Sequence, residues 1–351
     1  MKKIILTSII FTVFVGCTTT IDIDKDDYGI SLKKDGGKMR IYFEGKPYSG
    51  IITKHFKNSE NLSMKSEFSN GIVNGEELKY WENGNIKSST QFKEGIENGG
   101  YEDFYEDGQI KTSGEHLSEK KTGRWIKYYK NGQKKLTGEF NKNEDKVGEW
   151  ISYREDGKID DIEQYNDEGK KSGTWKSFYK NGELSEEKNY LNDKLNGLRT
   201  NYDIKGNLKY KGNYIDGKKD GVHVNYANFG NHGDAVEQGN YILGKKDGKH
   251  TRTMINGDLV FEEYYKNGER NGPFKKYFLK TKGLENQIEI EGTYLNGNKY
   301  GEWIEYRYSR DKNDNPCCIV KDDYGRYNEN GERIGKWIFS EGMSYQRERI
   351  Y

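Results

Sequence analysis

GRWIKYYKNGQKKLTGEFNKNEDKV, residues 123 to 147, is the stretch from which the fold can be read. Gly123 opens it, Trp125 follows two residues on, and Tyr128 and Tyr129 precede Asn131-Gly132. A second run carries Leu136, Gly138 and Phe140 into a polar link, and Gly148 begins the pattern again. Asn-Gly between two runs rich in aromatic and β-branched residues is a strong short-range hairpin signal. The stretch predicts a β-hairpin, and the chain an array of them.

The anchor glycine recurs at Gly50, Gly75, Gly99, Gly123, Gly148, Gly173, Gly197, Gly221, Gly248, Gly272, Gly301 and Gly335, mostly at intervals of 24 or 25 residues. A fixed period in the twenties marks a repeat architecture. A second glycine stands nine residues after the anchor, as in Gly108, Gly132 and Gly182, and a third four before the next, as in Gly95, Gly217 and Gly268. Two glycine turns per unit imply strand, turn, strand, turn, an antiparallel meander without helices. The fold class expected is therefore all-β, an elongated, twisted antiparallel meander of stacked β-hairpin repeats.

If Asn131-Gly132 is a two-residue turn, Trp125 lies opposite Gly138, Gly123 opposite Phe140 and Tyr129 opposite Lys134. Each aromatic ring would then cover the bare glycine backbone facing it. A three-residue bulged turn would shift this register by one. Trp125, Tyr129, Phe140, Trp150, Trp175, Tyr179, Trp303 and Trp337 are the expected repeat core. A single hairpin cannot bury enough surface to offset its ordering, so each must lean on its neighbours.

The pattern G-x-W-x-x-Y-Y-x-N-G-x-L, followed by G-x-Y and G-K-x-x-G, resembles the MORN repeat in its bacterial variant form. It is fullest in Gly123–Gly148, Gly173–Gly197 and Gly197–Gly221, and the resemblance runs from about Gly45 to the C-terminus. It departs from the family at Arg199 and His223, which stand at the Trp position, and in the long insertions near the C-terminal end. The resemblance implies a curved antiparallel sheet used for membrane association, scaffolding or partner binding; some bacterial relatives carry an antitoxin label.

Charged residues make up 33% of the chain and hydrophobic ones 32%, proportions often met in disorder, but 28 Tyr and phased turns argue for half-buried strands. Net charge near zero gives no argument for nucleic acid as a partner. MKKIILTSIIFTVFVGC begins with two lysines and an apolar run too short to span a bilayer, the layout of a secretory leader. Its end, Phe14-Val15-Gly16-Cys17, resembles the lipobox of bacterial lipoproteins, which implies lipidation of Cys17 and, with Thr18 following, outer-membrane delivery in a diderm cell. Residues 1–16 are read as signal peptide, 17–38 as a flexible tether with room for one short strand and 39–351 as the repeat array with atypical end units. SRDKNDNPCCIVKDDYG is expected to interrupt the hairpin opened by Gly301, and the final unit, opened by Gly335, to lack a full second strand.

Lys170, Lys171, Lys218, Lys219, Lys245, Lys246 and Arg270 fall in the link turns, where stacking would align them as a basic edge that could meet a partner or keep the edge soluble. The five histidines, His55, His116, His223, His232 and His250, are read as sharing no repeat position and show no H-x-x-x-H spacing. Cys317-Cys318 lacks further ligands nearby for a metal. No G-x-S-x-G, P-loop or dinucleotide motif stands in a strand-to-helix context. No catalytic residue, cofactor, metal or small-molecule ligand is expected. The reading is a non-enzymatic bacterial envelope lipoprotein, facing either the periplasm or the cell surface, that presents a repeat surface to an unidentified protein. Neutralisation of a toxin by binding is the alternative from another class, and an envelope hydrolase a third.

Overall fold

The computed structural model describes residues 19–25, 29–228, 234–279, 287–310, 316–340 and 346–351. The leader and Cys17 lie outside them, as does His232. The described residues form strands and turns, and strands that follow one another in the repeats pair antiparallel, as Lys120–Tyr128 does with Lys134–Phe140 and Leu184–Leu191 with Lys194–Tyr202. The chain divides into two units, residues 1–158 with 167–169, and 159–166 with 170–351. The first contains the hairpins from Gly50–His55 to Lys146–Tyr153, and the second those from Ile159–Tyr165 to Gln346–Ile350.

Turn chemistry differs from the simple expectation. At the Asn-Gly tips Gly132 N–H donates to Tyr129 O at 3.0 Å, and Tyr129 N–H to Gln133 O at 2.8 Å. This is a three-residue loop in which only the glycine, at φ +83°, is left-handed. The loop moves the register by one, so Tyr128, rather than Tyr129, faces Lys134. A bulge at the next step restores it, leaving Trp125 opposite Gly138 and Gly123 opposite Phe140. The two offsets cancel. The two-residue turns are instead the links, such as Asp216-Gly217 at φ +49° and +79°, both residues left-handed as a type I′ turn requires. Around Asn141 and Asn166 the link takes the three-residue form, which accounts for the longer interval from Gly123 to Gly148 to Gly173.

The segment expected to be a tether carries two strands. Thr20–Asp22 runs parallel to Gly50–His55, and Ile30–Asp35 pairs with Lys38–Phe43. Ile21, Tyr48 and Ile52 are buried together there, with Ile41, Phe43, Met64 and Phe68 packed around them. Tyr48 Oη donates toward Thr19 O at 2.6 Å and Ile51 O at 2.9 Å, tying the first strand down. A strand three residues long leaves a weak sequence signal, and its partner is far along the chain.

The C-terminal end also differs from expectation. The insertion lengthens a hairpin rather than interrupting it, since Asn298–Arg310 pairs with Pro316–Tyr327. Arg333–Ser340 has a second strand, Gln346–Ile350. Cys317 and Cys318 fall in Pro316–Tyr327, and their side chains lie outside the described residues.

Candidate functional site

Alternation along a strand puts every second side chain on one face. On one face of each unit the repeat builds ranks of rings and cations. Trp125 and Trp150 in the first unit, and Trp303 and Trp337 in the second, are all buried. The ring does not cover the glycine opposite it across the tip. It covers the glycine of the strand before: Trp125 lies on Gly114, Trp150 on Gly138, Trp303 on Gly292 and Trp337 on Gly325, where a Cβ would overlap the indole. The indole N–H then donates to the backbone beyond: Trp150 to Glu139 O at 3.1 Å, Trp303 to Thr293 O at 3.0 Å and Trp337 to Arg326 O at 3.1 Å. Trp175 has no such glycine and is only half-buried, although its N–H reaches Gln164 O at 2.8 Å. Phe140 packs edge-on between Trp125 and Trp150, at 6.3 and 4.9 Å.

Tyr129 and Tyr179 do something else: their hydroxyls donate to the next hairpin, at Tyr153 O and Tyr202 O, both at 2.8 Å. They tie neighbours together at the tips.

The basic edge divides in two. Lys170, Lys218 and Lys245 are exposed at the link turns. Lys171, Lys219, Lys246 and Arg270 turn onto the ring face, where Lys171 Nζ stands 4.4 Å from the Trp175 ring centre, Lys219 4.8 Å from Tyr241, Lys246 4.4 Å from Tyr265 and Arg270 Cζ 5.1 Å from Tyr294. A cation over a ring face gains from the ring quadrupole. Alternation separates neighbours in sequence onto opposite faces, which the list of basic residues alone does not convey.

His223 and His250 share a repeat position after all, the one Trp holds elsewhere, two residues beyond Gly221 and Gly248. Each imidazole lies on a glycine, Gly212 or Gly239, as the indoles do. Nε2–H reproduces the indole bond, donating to Asn213 O and to Asn240 O at 2.8 Å. The carbonyl fixes the proton on Nε2, so His223 Nδ1 accepts from Tyr210 Oη at 2.6 Å, and Tyr210 and Tyr214 hydroxyls bond at 2.6 Å. Burial holds both imidazoles below their ordinary pKa, and the ammonium groups of Lys219 and Lys246 add to the effect. Burial, then the bond to Glu263, pushes the Tyr265 hydroxyl up to about 12. The Tyr241 ring stands between the two imidazoles, and both line an open hollow of about 330 Å³ together with Tyr210, Lys219, Lys246, Phe261 and Glu263 among others.

Asp22, Asp24 and His55 also converge, with His55 Nδ1 3.2 Å from Asp22 Oδ1 and 3.8 Å from Asp24 Oδ2. Such a set could hold a cation, but Lys25 already stands 3.7 Å from Asp22 and supplies positive charge.

Four segments, residues 73–94, 121–142, 146–167 and 171–192, match the MORN repeat variant family. Those four segments are MORN repeats. Glycine-covered rings and paired turns extend the same hairpin beyond those four segments, to MORN-like units as far as Trp337. No curated protein matches the sequence. Among solved structures, a porin-like protein from Bacteroides uniformis aligns at 8% identity over 85% of this chain and 92% of its own, with a TM-score of 0.13. A TcdB2-TccC3 structure aligns at 10% identity over 89% of this chain and 24% of its own, with a TM-score of 0.15. Likenesses this slight carry no functional argument.

Proposed function

We propose that this MORN-repeat chain is a non-enzymatic protein of the bacterial cell envelope, anchored through lipid on Cys17, whose sheet offers a repeated surface to a protein partner. The observation that carries the binding role is on the face away from the rings. Leu191, Ile215 and Ile242 recur at the end of alternate strands and stay 52%, 39% and 53% exposed. Each is paired across the link with a lysine: Lys194, Lys218 and Lys245. Exposed aliphatic side chains at a regular spacing, rimmed by flexible charges, suit a protein interface with an apolar centre and polar rim. The leader and the residues before Cys17 support the anchor, since two or three acyl chains hold a protein firmly.

Two variants test the parts separately. Cys17→Ser should move the protein from the membrane to the soluble fraction; a mature Cys17→Ser protein still in the membrane would overturn the anchor. Leu191→Asp/Ile215→Asp/Ile242→Asp should leave the membrane fraction unchanged and lose the proteins crosslinked to the wild type. An unchanged crosslinking pattern would rule out this surface.

A further inference from the structure

The hollow lined by His223 and His250 has a physical origin in the repeat. At the other glycine-covered positions described an indole fills the face; here two successive units place the smaller imidazole on the same glycine support. The rings around it stand edge-on, Tyr241 at 69° to His223 and 75° to His250, and His250 at 63° to Tyr265. No parallel pair forms a slot for a flat base. Tyr241 and Phe261 in its walls already carry cations, Lys219 Nζ 4.8 Å and Arg252 Cζ 5.1 Å from their ring centres, and hydrogen-bonding groups come from Asn225, Gln238 and Thr251.

Charge in the hollow is not balanced. Glu237 accepts from Arg252 Nε at 2.8 Å, and Glu263 from Arg270 Nε at 2.8 Å and Tyr265 Oη at 2.8 Å. Both carboxylates are thus neutralised by arginines beside the hollow. Lys219 contacts ring faces, and Lys246 a ring face and the Tyr265 hydroxyl at 3.2 Å. Where an indole is present the equivalent lysine stands over it, as Lys299 does at 4.2 Å from Trp303. At the hollow the lysines lie over Tyr241 and Tyr265 instead, and both ammonium groups stand at its rim.

We infer that this hollow binds one residue of an acidic saccharide, its carboxylate toward Lys219 and Lys246 and its hydroxyls toward Asn225, Gln238 and Thr251. A sugar ring carries hydroxyls that both donate and accept, which amides and a threonine hydroxyl meet while the ammonium groups meet the carboxylate. A bare inorganic anion would use the lysines and leave the amides idle.

The test follows from the repeat. His223→Trp and His250→Trp restore the residue found on glycine at four other positions, so the double variant should fold and fill the hollow. Titration of the full chain with 3′-sialyllactose and with a hyaluronan tetrasaccharide, read by NMR or calorimetry, should give saturable binding to the wild type with at least one of them. Lactose and inorganic phosphate should each bind at least tenfold more weakly. The Trp double variant should lose binding, and Lys219→Ala/Lys246→Ala, which leaves the ring supports in place, should weaken it at least tenfold with an unchanged circular-dichroism spectrum. No saturable binding of either acidic saccharide, equal binding of lactose or phosphate, or binding that survives both double variants overturns the proposal. None of these outcomes bears on the anchor or on the Leu191 face.

Discussion

A glycine without a side chain acquires a role here from the ring that rests on it. Gly138 has ordinary backbone angles, yet a Cβ there would run into the Trp150 indole. Gly100 also has ordinary angles, and a Cβ there would meet nothing within 4 Å. Gly138→Ala should therefore cost about 1–3 kcal/mol, the usual range for overpacking, while Gly100→Ala should be neutral or stabilise by about 0.5 kcal/mol. Denaturant unfolding of the two variants separates steric overlap from backbone freedom. The buried histidines add a pH dependence. His223 faces Lys219, Tyr210, Tyr214 and Asp220, and His250 faces Lys246, Glu237 and Glu263. With a folded pKa below the unfolded one, each binds a proton more readily in the unfolded chain. Their contribution is intact above about pH 6.5 and is lost as pH falls below that value. The difference in melting temperature between pH 7.5 and 5 should be smaller in His223→Trp/His250→Trp than in the wild type.

At the scale of one hairpin, the tip is where neighbours are joined. Asn131 uses its side chain twice: Oδ1 accepts from Gln133 N–H at 3.0 Å, and Nδ2 donates to Glu155 O at 2.8 Å in the next hairpin. Asn83 and Asn181 repeat the outward bond to Glu106 O and Ile204 O. Asparagine is suited to this position by that reach, since Asn131 itself is not left-handed. Tyr129 adds the parallel bond to Tyr153 O. Tyr129→Phe should cost about 1 kcal/mol, the net value of one hydrogen bond, and Asn131→Ala a similar amount. Both should keep the strand content seen by circular dichroism, and their effects should not add, because both bind the same pair of hairpins.

On the scale of the molecule, contacts between adjacent strands make stability a matter of neighbours. Within the second unit Trp303 rests on Gly292 and meets Tyr294 and Tyr327 at 5.0 and 6.4 Å. Gly292→Ala should raise amide exchange in Ile288–Leu295 and Asn298–Arg310, and leave Leu184–Leu191 and Lys194–Tyr202 protected. Uniform loss of protection across the unit would show instead that it opens all together.

Period, turn positions and the Trp core were legible in residues 123 to 147 because hairpins are local: strand, turn and partner lie within one repeat. The Trp125–Gly138 register could be read for the same reason, although the shift of a three-residue turn is present and is cancelled by a bulge that the sequence does not announce. The strand Thr20–Asp22 could not, since its partner begins thirty residues on and its own run is three residues long. The shared place of His223 and His250 was present in the spacing from Gly221 and Gly248, but only the bonds to Asn213 and Asn240 show imidazole standing in for indole. By itself, then, the sequence determined the repeated hairpin, because local pattern and turn chemistry suffice for that. Only tertiary structure decided which glycine each ring covers, which lysines turn onto the rings, and where a ring too small for its place leaves a hollow. Those depend on packing between strands, where a single bulge changes which side chains meet.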